Sequence, residues 1–145
     1  MKEYVTTAFI TAPPDSVWSV LTDAAAYSDW NPEIVAIEGR MALGAHIIAH
    51  VRLGDGAVRR VPQRVQAFEP PRRMEWVGGL PFKLFVGRRE FTVTPMEGGT
   101  EFRMHLYMSG PLSSLILKSV GDRQPEIDRF AISLKARAES SGARR

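Results

Sequence analysis

Two arginines offer the most chemistry in this chain, because the pattern around each places it inside the fold. Arg89 shares strand parity with Phe91 and Val93, which directs it toward the concave side of a sheet. Arg123 falls near the middle of an apolar helical stripe that begins at Leu112, provided that helix is continuous. A buried guanidinium needs an opposite charge or acceptor, since an unpaired buried charge is costly. The sharp expectation is that Arg89 or Arg123 grips a ligand carboxylate. The bland alternatives stay open. Arg89 can reach a cavity mouth and snorkel to water. Pro125, helped by Gly121, can break the helix and turn Arg123 outward.

Other chemistries are poorly supplied. The three histidines are His46, His50 and His105. His46 and His50 share one face of a strand but stand about 13 Å apart, too far to chelate one metal together. No glycine-rich phosphate loop follows a strand and opens a helix, and no Ser-His-Asp arrangement is evident, so no catalytic residue, metal or cofactor is expected. Asp23 and Asp29 are explained by helix-end capping. The pairs Arg59-Arg60, Arg72-Arg73 and Arg88-Arg89 each offer one arginine to a given sheet face, with no aromatic platform among them, which argues against nucleic acid.

The elements that must position these groups follow from a chain of 145 residues, 44% hydrophobic and 24% charged, enough for one domain with a real core. There is no cysteine, hence no disulfide framework and no thiol nucleophile. Residues 1–11 hold no long apolar run, so neither signal peptide nor membrane insertion is expected, and a cytoplasmic setting fits. The net charge of +3 owes much to Lys135, Arg137, Arg144 and Arg145. A single domain over residues 1–139 followed by a basic, disordered tail at 140–145 is expected.

Residues 3–11 read as a strand. Pro14 opens a short helix with Val17, Trp18 and Leu21 on one face, and a second short helix spans about 23–28. Asp29-Trp30-Asn31-Pro32 is a turn. Six strands follow, near 33–40, 45–53, 57–68, 72–77, 85–94 and 100–109, joined by short turns such as Gly54-Asp55-Gly56. From Pro111 to about Ala138 the period becomes helical, a run of roughly 40 Å if unbroken. Leu115, Ile116, Ser119, Val120, Ile127, Phe130, Ala131 and Leu134 share its apolar side, opposite Lys118, Arg129, Ile132 and Lys135. Gly121 and Pro125 mark where the run can break into two segments, and the sequence leaves open whether it does. The class is α+β.

These residues resemble a known family. Ala12-Pro13-Pro14 with Val17-Trp18, then Leu21-Thr22-Asp23 and Trp30-Asn31-Pro32, look like the signature of the START-like (SRPBCC) superfamily, nearest its polyketide cyclase/dehydrase-like branch. Met74 to Trp76, Phe91 with Val93, Gly98-Gly99-Thr100 and Ser109-Gly110-Pro111-Leu112 extend the resemblance over about residues 3–138. It implies a helix-grip fold: a seven-stranded antiparallel curved sheet wrapped around a long C-terminal helix, with two short helices between strands 1 and 2. It also implies a cavity for lipids, sterols, polyketides or other apolar ligands. Many relatives carry histidine and glutamate where this chain has Met104 and Leu106, which removes two groups that could act as acid or base.

Apolar alternation assigns the inner faces independently. Phe102, Met104, Leu106 and Met108 point inward, leaving Arg103, His105 and Tyr107 outside, and Ile47, Val51, Met74, Trp76 and Phe91 continue the wall. Leu80, Phe82 and Phe85 flank a Gly/Pro loop that could act as a lid. The candidate ligand-binding residues are therefore Trp30, Met74, Trp76, Phe85, Arg89, Phe91, Met104, Leu106, Met108, Ile116, Val120 and Arg123. They suit binding or carriage of a small hydrophobic molecule, such as a lipid, fatty acid or aromatic polyketide. One alternative is a cyclase or dehydrase using Arg89, Asn31 and Gln63 in the same cavity. Another is a protein-interaction module on the convex face around His46, His50 and Arg52.

Overall fold

Period-two alternation over the middle of the chain produces seven strands, and apolar side chains gather on one face of each. In the computed structural model, which describes the backbone of residues 1–143 and the side chains of residues 1–140, these are β1 (Lys2–Ile10), β2 (Ile34–Glu38), β3 (His46–Arg52), β4 (Val58–Glu69), β5 (Arg73–Gly79), β6 (Val86–Met96) and β7 (Gly99–Ser109). All neighbouring pairs are antiparallel, in the order β1-β7-β6-β5-β4-β3-β2. Register shifts at Ile34/Ala36 and Val65/Ala67 bend β2 and β4, and strand twist curls the sheet.

Helices α1 (Pro14–Thr22) and α2 (Tyr27–Trp30) connect the two edge strands, with Pro14 in the first turn of α1 as its sequence requires. The C-terminal stretch is two helices, α3 (Ser113–Val120) and α4 (Gln124–Ala143), separated at Gly121, whose φ of 80° ends α3. At about 1.5 Å per residue α4 is roughly 30 Å long, shorter than the unbroken run would be. It lies on β1 and β7 and against α1. Ile127, Phe130, Ala131, Leu134 and Ala138 are buried along it, while Ile132 faces water, as the helical period requires. The phase does not survive the break: Leu115, read with the apolar side, is 63% exposed, and α3 buries no residue. Because α4 runs to Ala143, residues 140–143 continue a helix where a disordered tail was expected. Residues 144 and 145 lie outside the described residues.

The core is aromatic. Phe130 lies 6.0 Å from Phe102 in a stacked pair, 5.9 Å from Phe91, 5.7 Å from Trp30 and 6.2 Å from Tyr27, measured between ring centres. Trp76 adds to it 4.8 Å from Phe91. This cluster fills the half of the concave face that α4 covers.

One glycine controls the loop between β5 and β6. Gly79 has φ +150°, and a Cβ there would collide with the Phe85 carbonyl oxygen, a backbone atom that cannot rotate away. The same carbonyl accepts the Leu80 N–H at 2.9 Å. Gly79→Ala is expected to cost about 1–3 kcal/mol, read as a lower denaturant midpoint. An unchanged midpoint would show that the loop absorbs the methyl group.

Candidate functional site

The break between α3 and α4 leaves part of the concave face uncovered. β4 records this directly: its inward positions Arg59, Val61 and Gln63 remain partly or fully accessible, whereas Val65 further along is buried. The space beneath α3 is a cavity of about 210 Å³. Its floor includes Val51, Val61, Leu106 and Met108, Phe85 stands at its side, and Ile116 and Val120 of α3 roof it. Arg59 donates from Nη2 to the Ser119 hydroxyl at 3.2 Å, tying β4 to α3 at the rim.

A buried ionic cluster borders this cavity. Asn31 is extended, as a residue before proline must be, and its Oδ1 accepts the N–H groups of Glu33 and Ile34, each at 2.9 Å. That turn directs Glu33, 1% exposed, into the protein. Arg89 grips its carboxylate with both terminal nitrogens, Nη1 to Oε1 at 2.6 Å and Nη2 to Oε2 at 2.8 Å. Arg123 donates from Nη2 to the same Oε2 at 3.0 Å and to the Arg52 carbonyl at 3.4 Å. Burial alone would push the Glu33 carboxyl up. The Arg89 guanidinium, joined by Arg123, outweighs it and holds the group below the usual carboxylate range. Burial likewise opposes the Arg89 charge, and Glu33 more than offsets this, so the Arg89 pKa is raised.

Both arginines are therefore inward. Arg89 does not snorkel to water, because Glu33 satisfies it inside. Arg123, 2% exposed, is not turned outward by the break. It lies in the turn between the helices, where Glu33 and the Arg52 carbonyl fix its direction. Phe85, Arg89, Leu106, Met108, Ile116, Val120 and Arg123 all line the cavity. Met74, Trp76, Phe91 and Met104 do not. They point inward as alternation requires but are packed core: Phe91 lies against Phe130, Trp76 against Phe91, and the Met104 sulfur accepts from Arg89 Nη1 at 3.6 Å. Trp30 lies against Tyr27 and Phe130, away from the cavity. Of the loop residues, Leu80 is exposed and Phe82 is 95% exposed, so only Phe85 reaches the cavity.

Glu33 was not among the residues singled out from the sequence. Its signal was one of charge: two inward arginines require an acid, and Glu33 stands between the Asn31-Pro32 turn and the apolar Ile34-Val35. Asn31, read as a polar group for the cavity, instead caps the turn that carries Glu33.

The model of the polyketide cyclase/dehydrase and lipid transport family matches residues 1–139. The chain belongs to this family. Its architecture is the helix-grip of the START-like superfamily, and similar solved structures agree. A START superfamily protein from Mycobacterium smegmatis is 18% identical, with TM-score 0.70 over 96% of this chain and 98% of that one. A hypothetical protein from Helicobacter pylori reaches TM-score 0.76 at 14% identity, over 94% and 88%. A Mesorhizobium loti protein is 21% identical with TM-score 0.71, over 93% and 95%. At such identities the likeness is one of fold. No curated protein matches the chain.

Membership of this family and the helix-grip fold point to ligand binding. The cavity of this chain offers an apolar wall beside an arginine-rich end. Glu33 is the buried acid nearest to it, but a carboxylate of lowered proton affinity, with both oxygens engaged, is a weak base. The Tyr27 hydroxyl donates to the Leu21 carbonyl at 2.6 Å, and burial pushes its pKa well above the ordinary phenol value. Among the described residues no three His, Asp or Glu side chains gather as metal ligands, and no helix is long and apolar enough to cross a membrane. On the convex face His50 bonds Glu38 at 2.7 Å, and Arg60 shares that carboxylate at 3.1 Å.

Proposed function

We propose that this protein binds and carries a small hydrophobic molecule, a fatty acid, lipid or aromatic polyketide, in the cavity beneath α3. The observation that carries the proposal is the uncovered stretch of concave sheet between the aromatic core and α3, walled by Val51, Val61, Leu106, Met108, Ile116 and Val120. Family membership supports the same reading. Volume limits the occupant. A dry cavity of roughly 150 Å³ accepts benzene, so one of about 210 Å³ encloses roughly eight heavy atoms. A longer chain would extend through the open side by β4.

Thermal shift against straight-chain alcohols, fatty acids and alkylbenzenes tests this, because a ligand that binds only the folded state must raise Tm. Ile116→Trp provides the control, since it fills the cavity from a helix that buries no side chain. The expected result is stabilisation of the natural protein and at least tenfold weaker binding by the variant, with its own Tm little changed. No stabilisation by any of these compounds, or equal stabilisation of Ile116→Trp, would defeat the proposal.

A further inference from the structure

Charge and hydrogen-bond valence at one end of the cavity specify what its occupant carries. The cluster holds one carboxylate, Glu33, and two guanidinium groups, Arg89 and Arg123, all buried. Its net charge is thus +1, in surroundings where a lone charge is costly. The two arginines are not equivalent. Arg89 spends both terminal nitrogens on Glu33. Among the described residues Arg123 bonds only through Nη2, to Glu33 and the Arg52 carbonyl, and its buried Nη1 has no hydrogen-bond partner. Arg123 also lines the cavity, and no Asp or Glu does. The remaining cations at the wall are engaged elsewhere. Arg59 bonds Ser119, and the Arg88 guanidinium stacks 4.0 Å over Tyr107.

Resting on the cavity reading, we infer that the occupant is a monoanion: a small carboxylate with an apolar body, seated at the Arg123 end of the cavity, where its charge neutralises the buried cluster. A carboxylate beside a guanidinium interacts more strongly than a neutral head group does, and Arg123 has donors to spare, since only Nη2 is bonded among the described residues. A neutral lipid of the same shape leaves the excess charge uncompensated. Glu33 acts as a positioning residue. It holds both guanidinium groups by one carboxylate and so orients the free edge of Arg123. Alkyl and aromatic bodies satisfy the same apolar walls, so the chemistry shared by the two classes is the carboxylate.

Isothermal titration calorimetry at pH 7 with two matched pairs, octanoate against octanamide and benzoate against benzamide, reads the charge of the head group apart from the body. The expected result is an acid bound at least tenfold more tightly than its amide in one or both pairs, the pair showing it identifying the alkyl or aromatic body. Arg123→Gln, which lowers the cluster to zero net charge without leaving a cation unpaired, is expected to erase that preference. Continued binding of the amide by the variant shows that the cavity is intact. Equal binding of acid and amide by the natural protein overturns the monoanion while leaving the cavity reading standing. A preference that persists in Arg123→Gln overturns the assignment to Arg123. Binding of none of the four overturns both.

Discussion

Glu33→Gln is expected to destabilise the protein by about 3–5 kcal/mol, the range for removing one partner of a buried ionic cluster. The amide keeps the shape of the side chain but removes the carboxylate to which both Arg89 and Arg123 are paired, leaving two buried cations side by side. Denaturant unfolding at pH 7 measures the loss. A change below about 1 kcal/mol would mean that water reaches the guanidinium groups and that the cluster is not sealed. The triple replacement of Glu33, Arg89 and Arg123 by apolar residues separates the causes. It is expected to recover most of the loss, because the penalty lies in unpaired charge rather than in missing attraction.

The same carboxylate sets a pH dependence. The folded-state pKa of Glu33 lies below its ordinary 4.5, so the folded state binds this proton less readily than the unfolded chain. Its stabilising contribution is complete above 4.5 and is lost as pH falls through the lowered folded value. Glu33→Gln is expected to flatten the stability profile in that acidic window relative to the natural protein. An unchanged slope there would locate the acid sensitivity in other carboxylates.

Phe130→Ala is the second large effect, with an expected loss of about 3–5 kcal/mol and a Tm lower by roughly 10 °C or more. Phe130 is fully buried and is the residue through which α4 meets Phe91, Phe102, Tyr27 and Trp30. Four aromatic rings cannot close over the space a phenyl group leaves without moving the strands and helices that carry them. Ile132→Ala on the opposite side of α4 is the matched control. Ile132 is 65% exposed, and its truncation is expected to change stability by less than about 0.5 kcal/mol. Comparable losses at the two positions, measured by thermal unfolding, would contradict the packing of α4 described above.

The architecture was written locally. Alternation along residues 45–53 and 100–109 placed Ile47, Ala49 and Val51, and Phe102 to Met108, on the buried face where the structure has them. The proline, glycine and aromatic landmarks from Ala12 to Pro32 carried the family resemblance, and Gly121 with Pro125 marked the helix break. Each of these signals works within a few residues, through parity, φ restriction or a missing N–H, so a single stretch of chain suffices to read it.

What lines the cavity was not legible in the same way. Met74, Trp76, Phe91 and Met104 have the same inward parity as Leu106 and Met108, and parity cannot say which inward residues find a partner ring. That depended on where α4 sets Phe130, a contact across some forty residues of chain from Phe91 and nearly thirty from Phe102. Nor could spacing pair Glu33 with Arg89 and Arg123, which stand 56 and 90 residues away. The sequence by itself determined a curved antiparallel sheet, a C-terminal helical run with a breakable joint at Gly121-Pro125, and the inward parity of Arg89 on its strand, because local stereochemistry and periodicity encode those. Tertiary structure alone decided that the helix breaks with Arg123 still turned inward, that one carboxylate joins both arginines, that one half of the concave face is filled by aromatic rings, and that the other half is left open at the Arg123 end. Long-range packing and charge neutralisation act between segments whose separation along the chain carries no pattern to read.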